Sequence, residues 1–180
     1  MMDHEKHGGG KTYLKDFRQT ASGEYIYTGR HMEYSSVNPI PFKKWYLRVC
    51  AFNAASVVLA AAGGFLPFDG LNNCIYVILP LVIELFIVSW TLFRLISSGR
   101  NSRLRLYAYD TAYKNLTVRN TAAMIFSVIG AIGSVVFELT GKPESGLIMA
   151  IIYAAFRLTS AWCQFFSCRL FKSAVWEEKQ

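Results

Sequence analysis

Four stretches of this chain, 49–68, 71–93, 121–139 and 146–168, are almost free of charge, and they limit what it can fold into more than any other feature. Each has close to the ~20 residues that a helix rising about 1.5 Å per residue needs to traverse about 30 Å of hydrocarbon. Only Glu84, Glu138 and Arg157 interrupt them with charge. The whole chain of 180 residues is 53% hydrophobic and 17% charged, with a mean hydropathy of +0.26, too apolar for a water-soluble domain. The expected fold is an all-α integral membrane protein, a bundle of four transmembrane helices occupying 45–171. Its spans fall at about 45–67, 72–96, 120–140 and 146–169, joined by an inner loop at 97–119, with a polar segment 1–44 before them and a tail 172–180 after. This excludes a soluble enzyme, a nucleic-acid-binding domain and a disulfide-stapled module.

The net charge of +7 follows the membrane. Lys and Arg number eight before the first span, none in the first connector, six in the second, one in the third and three in the tail. Short basic loops stay cytoplasmic, so both termini and the 97–119 loop are expected inside the plasma membrane, with the connectors near Asp69 and Lys142 outside. Trp45, Tyr46, Phe65, Phe68, Tyr76 and Trp176 fall near the expected interfaces. In the inner loop, Arg103, Arg105 and Arg119 alternate with Tyr107, Tyr109 and Tyr113, a mixture that also suits single-stranded nucleic acid. Between two spans it suits lipid better. Lys43, Lys44, Arg100, Arg103 and Arg105 are expected to rest on an anionic inner leaflet, each contributing about 1 kcal/mol. The expected partners are therefore that lipid bilayer and another membrane protein or a second copy of this chain, with no nucleic acid.

The first 44 residues are polar and contain no apolar signal core, so the first span is expected to serve as its own insertion signal. Gly10-Lys11-Thr12 imitates the end of a phosphate-binding loop, but Glu5 stands where that loop needs glycine. His4, Glu5 and His7 lie in a tail with no fixed geometry for a metal, and neither metal nor cofactor is expected. Phe17, Tyr25, Ile26, Tyr27 and Tyr34, alternating with polar residues around Ser22-Gly23 and Thr28-Gly29, suggest a short β-hairpin, either a small cap under the bundle or a partner-binding strand, and Asn38-Pro39-Ile40-Pro41 breaks any element before the first span. Of Cys50, Cys74, Cys163 and Cys168, only Cys74 lies near the outer face, which leaves no partner for a disulfide.

Charge inside hydrocarbon is costly, so Glu84 and Arg157 are the informative residues. Both lie about ten residues in from the outer edge of their spans, or ~15 Å, at matching depth. Each sits on a polar stripe of helical spacing: Tyr76, Pro80, Glu84 and Thr91 on the second span, Tyr153, Arg157, Ser160 and Gln164 on the fourth. The stripes are expected to face each other, with a buried ion pair fixing which helices are neighbours or with Glu84 as a proton or cation site set by Arg157; the remaining alternative is that the two never meet, each finding another chain or a snorkelling route. Pro80 should free the carbonyl of Tyr76 and kink its helix. Asn53, Ser56, Ala60 and Gly64 on the first span and Ser127, Gly130 and Ser134 on the third form small-residue faces for close packing, in which Asn53 needs a buried partner. No catalytic constellation accompanies them, since His4, His7 and His31 all precede the spans. The expected function is non-catalytic: an accessory or structural subunit of a membrane complex, acting through helix packing and its cytoplasmic face. The alternative is a small oligomeric transporter or channel that uses Glu84 and Arg157 as an intramembrane polar site.

Overall fold

The computed structural model describes residues 17–19, 25–27, 30–140 and 146–179. The motifs read at His4, Glu5, His7 and Gly10 to Thr12, and the connector holding Lys142, lie outside the described residues. Two short strands, β1 (Phe17–Gln19) and β2 (Tyr25–Tyr27), pair antiparallel in the segment where a hairpin is expected.

Strand β3 (His31–Tyr34) leads into helix α1 (Phe42–Gly64), which starts where the Pro41 carbonyl accepts the amides of Lys44 and Trp45. A one-turn helix, α2 (Asp69–Asn73), fills the first connector, and its Leu71 is buried in the bundle together with Phe68. Burial of these two apolar side chains explains why an expected loop is helical, and why α3 (Ile75–Ser97) starts three residues later than the expected 72. After strand β4 (Arg103–Arg105), a short helix α4 (Leu106–Tyr109) and a π-helical turn (Asp110–Lys114) run into α5 (Leu116–Thr140). The expected 97–119 loop is thus mostly ordered, because Ala112, Tyr113 and Leu116 bury themselves under the bundle. Helix α6 (Gly146–Lys172) and strand β5 (Trp176–Lys179) complete the chain.

The four long helices, α1, α3, α5 and α6, are each long and apolar enough to span a membrane. They form a ring in the order α1, α3, α5, α6, each packed on its two neighbours. Their interior is layered. At the end capped by α2, Ala60, Phe68, Leu81, Phe137 and Tyr153 form an apolar core; at the basic end, Trp45, Tyr46, Leu95, Tyr113 and Leu116 form another. Between them Asn53, Ser56, Glu84, Asn120, Ser127, Arg157, Ser160, Gln164 and Ser167 are fully buried, while Phe86 and Trp162 are 70% and 62% exposed. A chain that hides polar groups and presents large apolar ones is suited to hydrocarbon, not water. This is the expected all-α, four-helix membrane bundle.

Trp45, Tyr46 and Phe68, expected at the membrane interface, are instead buried in the two apolar cores. Trp45 donates its Nε1 proton to Leu170 O at 2.9 Å, fastening the start of α1 to the end of α6. Under this end lies a three-stranded antiparallel sheet in the order β4, β3, β5, uniting three segments far apart in sequence. Its Tyr34 and Trp176 rings pack on Phe42, Trp45, Tyr109 and Tyr113. The three-stranded sheet is an addition to the single expected hairpin.

Candidate functional site

Glu84 and Arg157 meet at the centre of the bundle. Arg157 Nη1 forms an ion pair with Glu84 Oε2, and both side chains are fully buried. The other carboxylate oxygen, Oε1, accepts from Ser160 Oγ at 2.5 Å and from Gln164 Nε2 at 3.0 Å. Arg157 Nη2 donates to Phe126 O at 3.1 Å, and Ser127 Oγ donates to Arg157 O at 2.5 Å. The charge is therefore neutralised and hydrogen-bonded from three helices, which is what makes burial of an ion pair tolerable. One expectation needs correction. α3 and α6 are diagonal in the ring and not neighbours, so their polar stripes face each other across the bundle axis. Glu and Arg, two of the longest side chains, have the reach to close that gap.

Glycine provides the space. A Cβ at Gly130 would lie 2.9 Å from both Nε and Nη2 of Arg157, so only glycine leaves room for the guanidinium beside α5. At Gly133 a Cβ would lie 2.9 Å from Tyr76 O. That carbonyl is the one whose helical donor Pro80 removes, so α5 packs closely on α3 at a point where α3 has an acceptor to spare.

Toward the basic end the polar layer continues. Asn53 finds its buried partner in Ser167, whose Oγ accepts from Asn53 Nδ2 at 2.8 Å and from Asn120 Nδ2 at 3.0 Å, linking α1, α6 and α5. Ser56 Oγ donates to Ser160 O at 3.3 Å. The amide oxygens of Asn53, Asn120 and Gln164 are buried with no hydrogen-bond donor among the described residues.

Of the other expected residues, Thr91 is buried and donates within its own helix, to Ile87 O at 2.8 Å. Tyr153 stacks on Phe68 with ring centroids 5.4 Å apart and donates to Val77 O at 3.4 Å. Ser56, Ala60, Ser127, Gly130 and Ser134 are buried. Gly64 is exposed, and Gly63 takes its expected place against Tyr153 and Phe156, because the buried face continues 53, 56, 60, 63. Lys43, Lys44, Arg100, Arg103 and Arg105 are all exposed. Arg119, read with the basic loop, turns inward and donates to Thr111 O at 3.2 Å and Ala112 O at 2.5 Å, carbonyls of the π-helical turn.

Asn120, Gly133 and Ser167 were not singled out by the sequence pattern. Ser167 could have been found, since it extends the α6 stripe of 153, 157, 160 and 164 by the next three residues. Among the described residues no three His, Cys, Asp or Glu side chains converge as a metal site would require. The chain matches no known protein family, characterised protein or solved structure.

Proposed function

We propose that this chain is a non-catalytic, multi-pass protein of the plasma membrane, an accessory or structural subunit of a membrane complex, with both termini and its three-stranded sheet in the cytoplasm. The observation that carries the proposal is the enclosure of the Glu84 and Arg157 pair: both side chains are fully buried, Ser160 and Gln164 donate to the carboxylate, and the Phe126 carbonyl accepts from the guanidinium. A pair so enclosed orients helices, and it leaves the outer faces and the basic end for other molecules. The two apolar grooves, between α5 and α6 and between α1 and α3, open outward and are lined by neither Glu84 nor Arg157. The cytoplasmic assignment rests on the positive-inside rule applied to the basic end, where β3, β4 and β5 lie together.

The second reading, a small oligomeric transporter, draws on the amide oxygens of Asn53, Asn120 and Gln164, buried with no donor among the described residues, the last belonging to a side chain that donates to Glu84. Purification in mild detergent separates the two. The wild-type chain should bring a larger, different membrane protein with it, and lose that protein when residues 1–29 are removed, a deletion that leaves β3, β4 and β5 in place. A pure homo-oligomer whose solute or proton flux in liposomes disappears with Glu84→Gln, while fold and yield survive, would overturn the accessory role.

A further inference from the structure

The seam between α1 and α3 opens at the basic end into a groove of about 480 Å³. Leu47, Ala51 and Ala54 line one wall and Leu92 and Ile96 the other, with Arg100 alongside. Alanine side chains stop at Cβ, which is where the space comes from. Two residues past the end of α3, Gly99, with a φ of +76°, turns the chain in the left-handed region and sets Arg100 beside the groove.

The charge around this end of the seam is one-sided. Neither 35–68 nor 85–109 contains an Asp or Glu. Lys43, Lys44 and Arg48 lie exposed in the first turns of α1, and neither they nor Arg100 form an ion pair among the described residues. An apolar slot facing hydrocarbon with uncompensated positive charge at its aqueous end is complementary to one kind of molecule: an acyl chain carrying an anionic headgroup. The groove between α5 and α6 offers the contrast. It is of similar volume, about 530 Å³, but no charged side chain lines it, and the Arg169 guanidinium beside it lies over the Phe165 ring, 5.9 Å from the centroid.

We propose that the groove between α1 and α3 binds one anionic phospholipid, its acyl chain lying along Leu47, Ala51 and Ala54 and its phosphate held by Arg100. The site requires only that the bundle spans a bilayer, and it stands or falls separately from the accessory role. Cys50 lines the same groove and is a free thiol, so a seated lipid covers it.

The test uses the full chain in detergent, titrated with phosphatidylglycerol or phosphatidylcholine and observed by native mass spectrometry. The wild type should retain a single phosphatidylglycerol in preference to phosphatidylcholine, and phosphatidylglycerol should slow maleimide labelling of Cys50. Arg100→Gln should weaken phosphatidylglycerol binding roughly fivefold, close to the phosphatidylcholine level, with the groove intact. Ala51→Leu should reduce both lipids by filling the slot; Ala54→Leu is the second variant, and circular dichroism checks that each remains helical. Equal retention of the two lipids by the wild type, an unchanged preference in Arg100→Gln, or undiminished retention of both lipids in both leucine variants would overturn the proposal.

Discussion

Gly130 is the position where one added methyl group would reach the central charge pair. Its Cβ would press on the Arg157 guanidinium, which Glu84 and Phe126 O hold in place. Gly130→Ala is therefore expected to destabilise the bundle by about 1–3 kcal/mol, overriding the ~1 kcal/mol that alanine gains in a helix. Gly63→Ala is the matched control. There a Cβ would meet Tyr153 and Phe156 at 3.8 Å, an ordinary contact, so the variant should be neutral or slightly more stable in denaturant titration. Gly133→Ala should cost more than either, because the atom in the way is a backbone carbonyl, Tyr76 O, which has no rotamer to escape into. At this scale the sequence was informative about the residues that must find partners. A carboxylate, a guanidinium and an amide in hydrocarbon, Glu84, Arg157 and Asn53, declare their own need. Which glycine admits the guanidinium, and whether Gly63 or Gly64 faces inward, depends on helix rotation that small residues spaced by three and four leave open by one position.

At the scale of elements, the C-terminal strand β5 is a latch. Glu177 accepts from Ser35 Oγ, Glu178 pairs with Arg30 at 2.9 Å and Lys179 pairs with Glu33 at 2.9 Å, while Trp176 packs on the aromatic cluster above. The hydrogen bond and charge of Lys179 hold the Glu33 carboxyl below its ordinary value, and Glu33 in turn holds the Lys179 ammonium above its own. A lowered carboxyl stabilises the sheet above its ordinary value of 4.5, and that contribution is lost as the pH falls through the folded value. A raised ammonium stabilises it below the ordinary 10.5 and is lost as the pH rises through the folded value. Hydrogen exchange of the β5 amides, corrected for intrinsic rate, should show the latch tightest between those limits. Glu33→Gln should remove this pair's contribution to the loosening at both ends and leave the helices unchanged. Strands β4 and β5 were poorly legible in the sequence. Three or four residues such as Arg103-Leu104-Arg105 alternate once and stop, too little for a period of two to stand out. Their pairing is made by partners 70 or more residues distant in the chain. The long helices were legible for the opposite reason, since hydropathy accumulates over twenty positions whatever the tertiary context.

Across the whole molecule, the shared sheet puts β3, which precedes α1, β4 of the 97–119 connector and the C-terminal β5 at one end of the bundle. Labelling with an impermeant thiol reagent in intact cells, on a chain whose own cysteines are removed, decides which side that end faces. Thr140→Cys should react and Asn101→Cys should not; the reverse result would invert the orientation and with it the leaflet that Arg100 meets. The bundle's stability, in turn, depends on a buried charge being matched across its axis. Its unfolding free energy in mixed micelles, measured for the wild type, Glu84→Gln, Arg157→Gln and the double variant, tests this most directly. Each single change leaves a buried charge unpaired and should cost on the order of 3–5 kcal/mol. The double variant leaves none, and should be far less destabilised than the two losses added together. Strictly additive losses, or single variants as stable as the wild type, would contradict a bundle built around this pair.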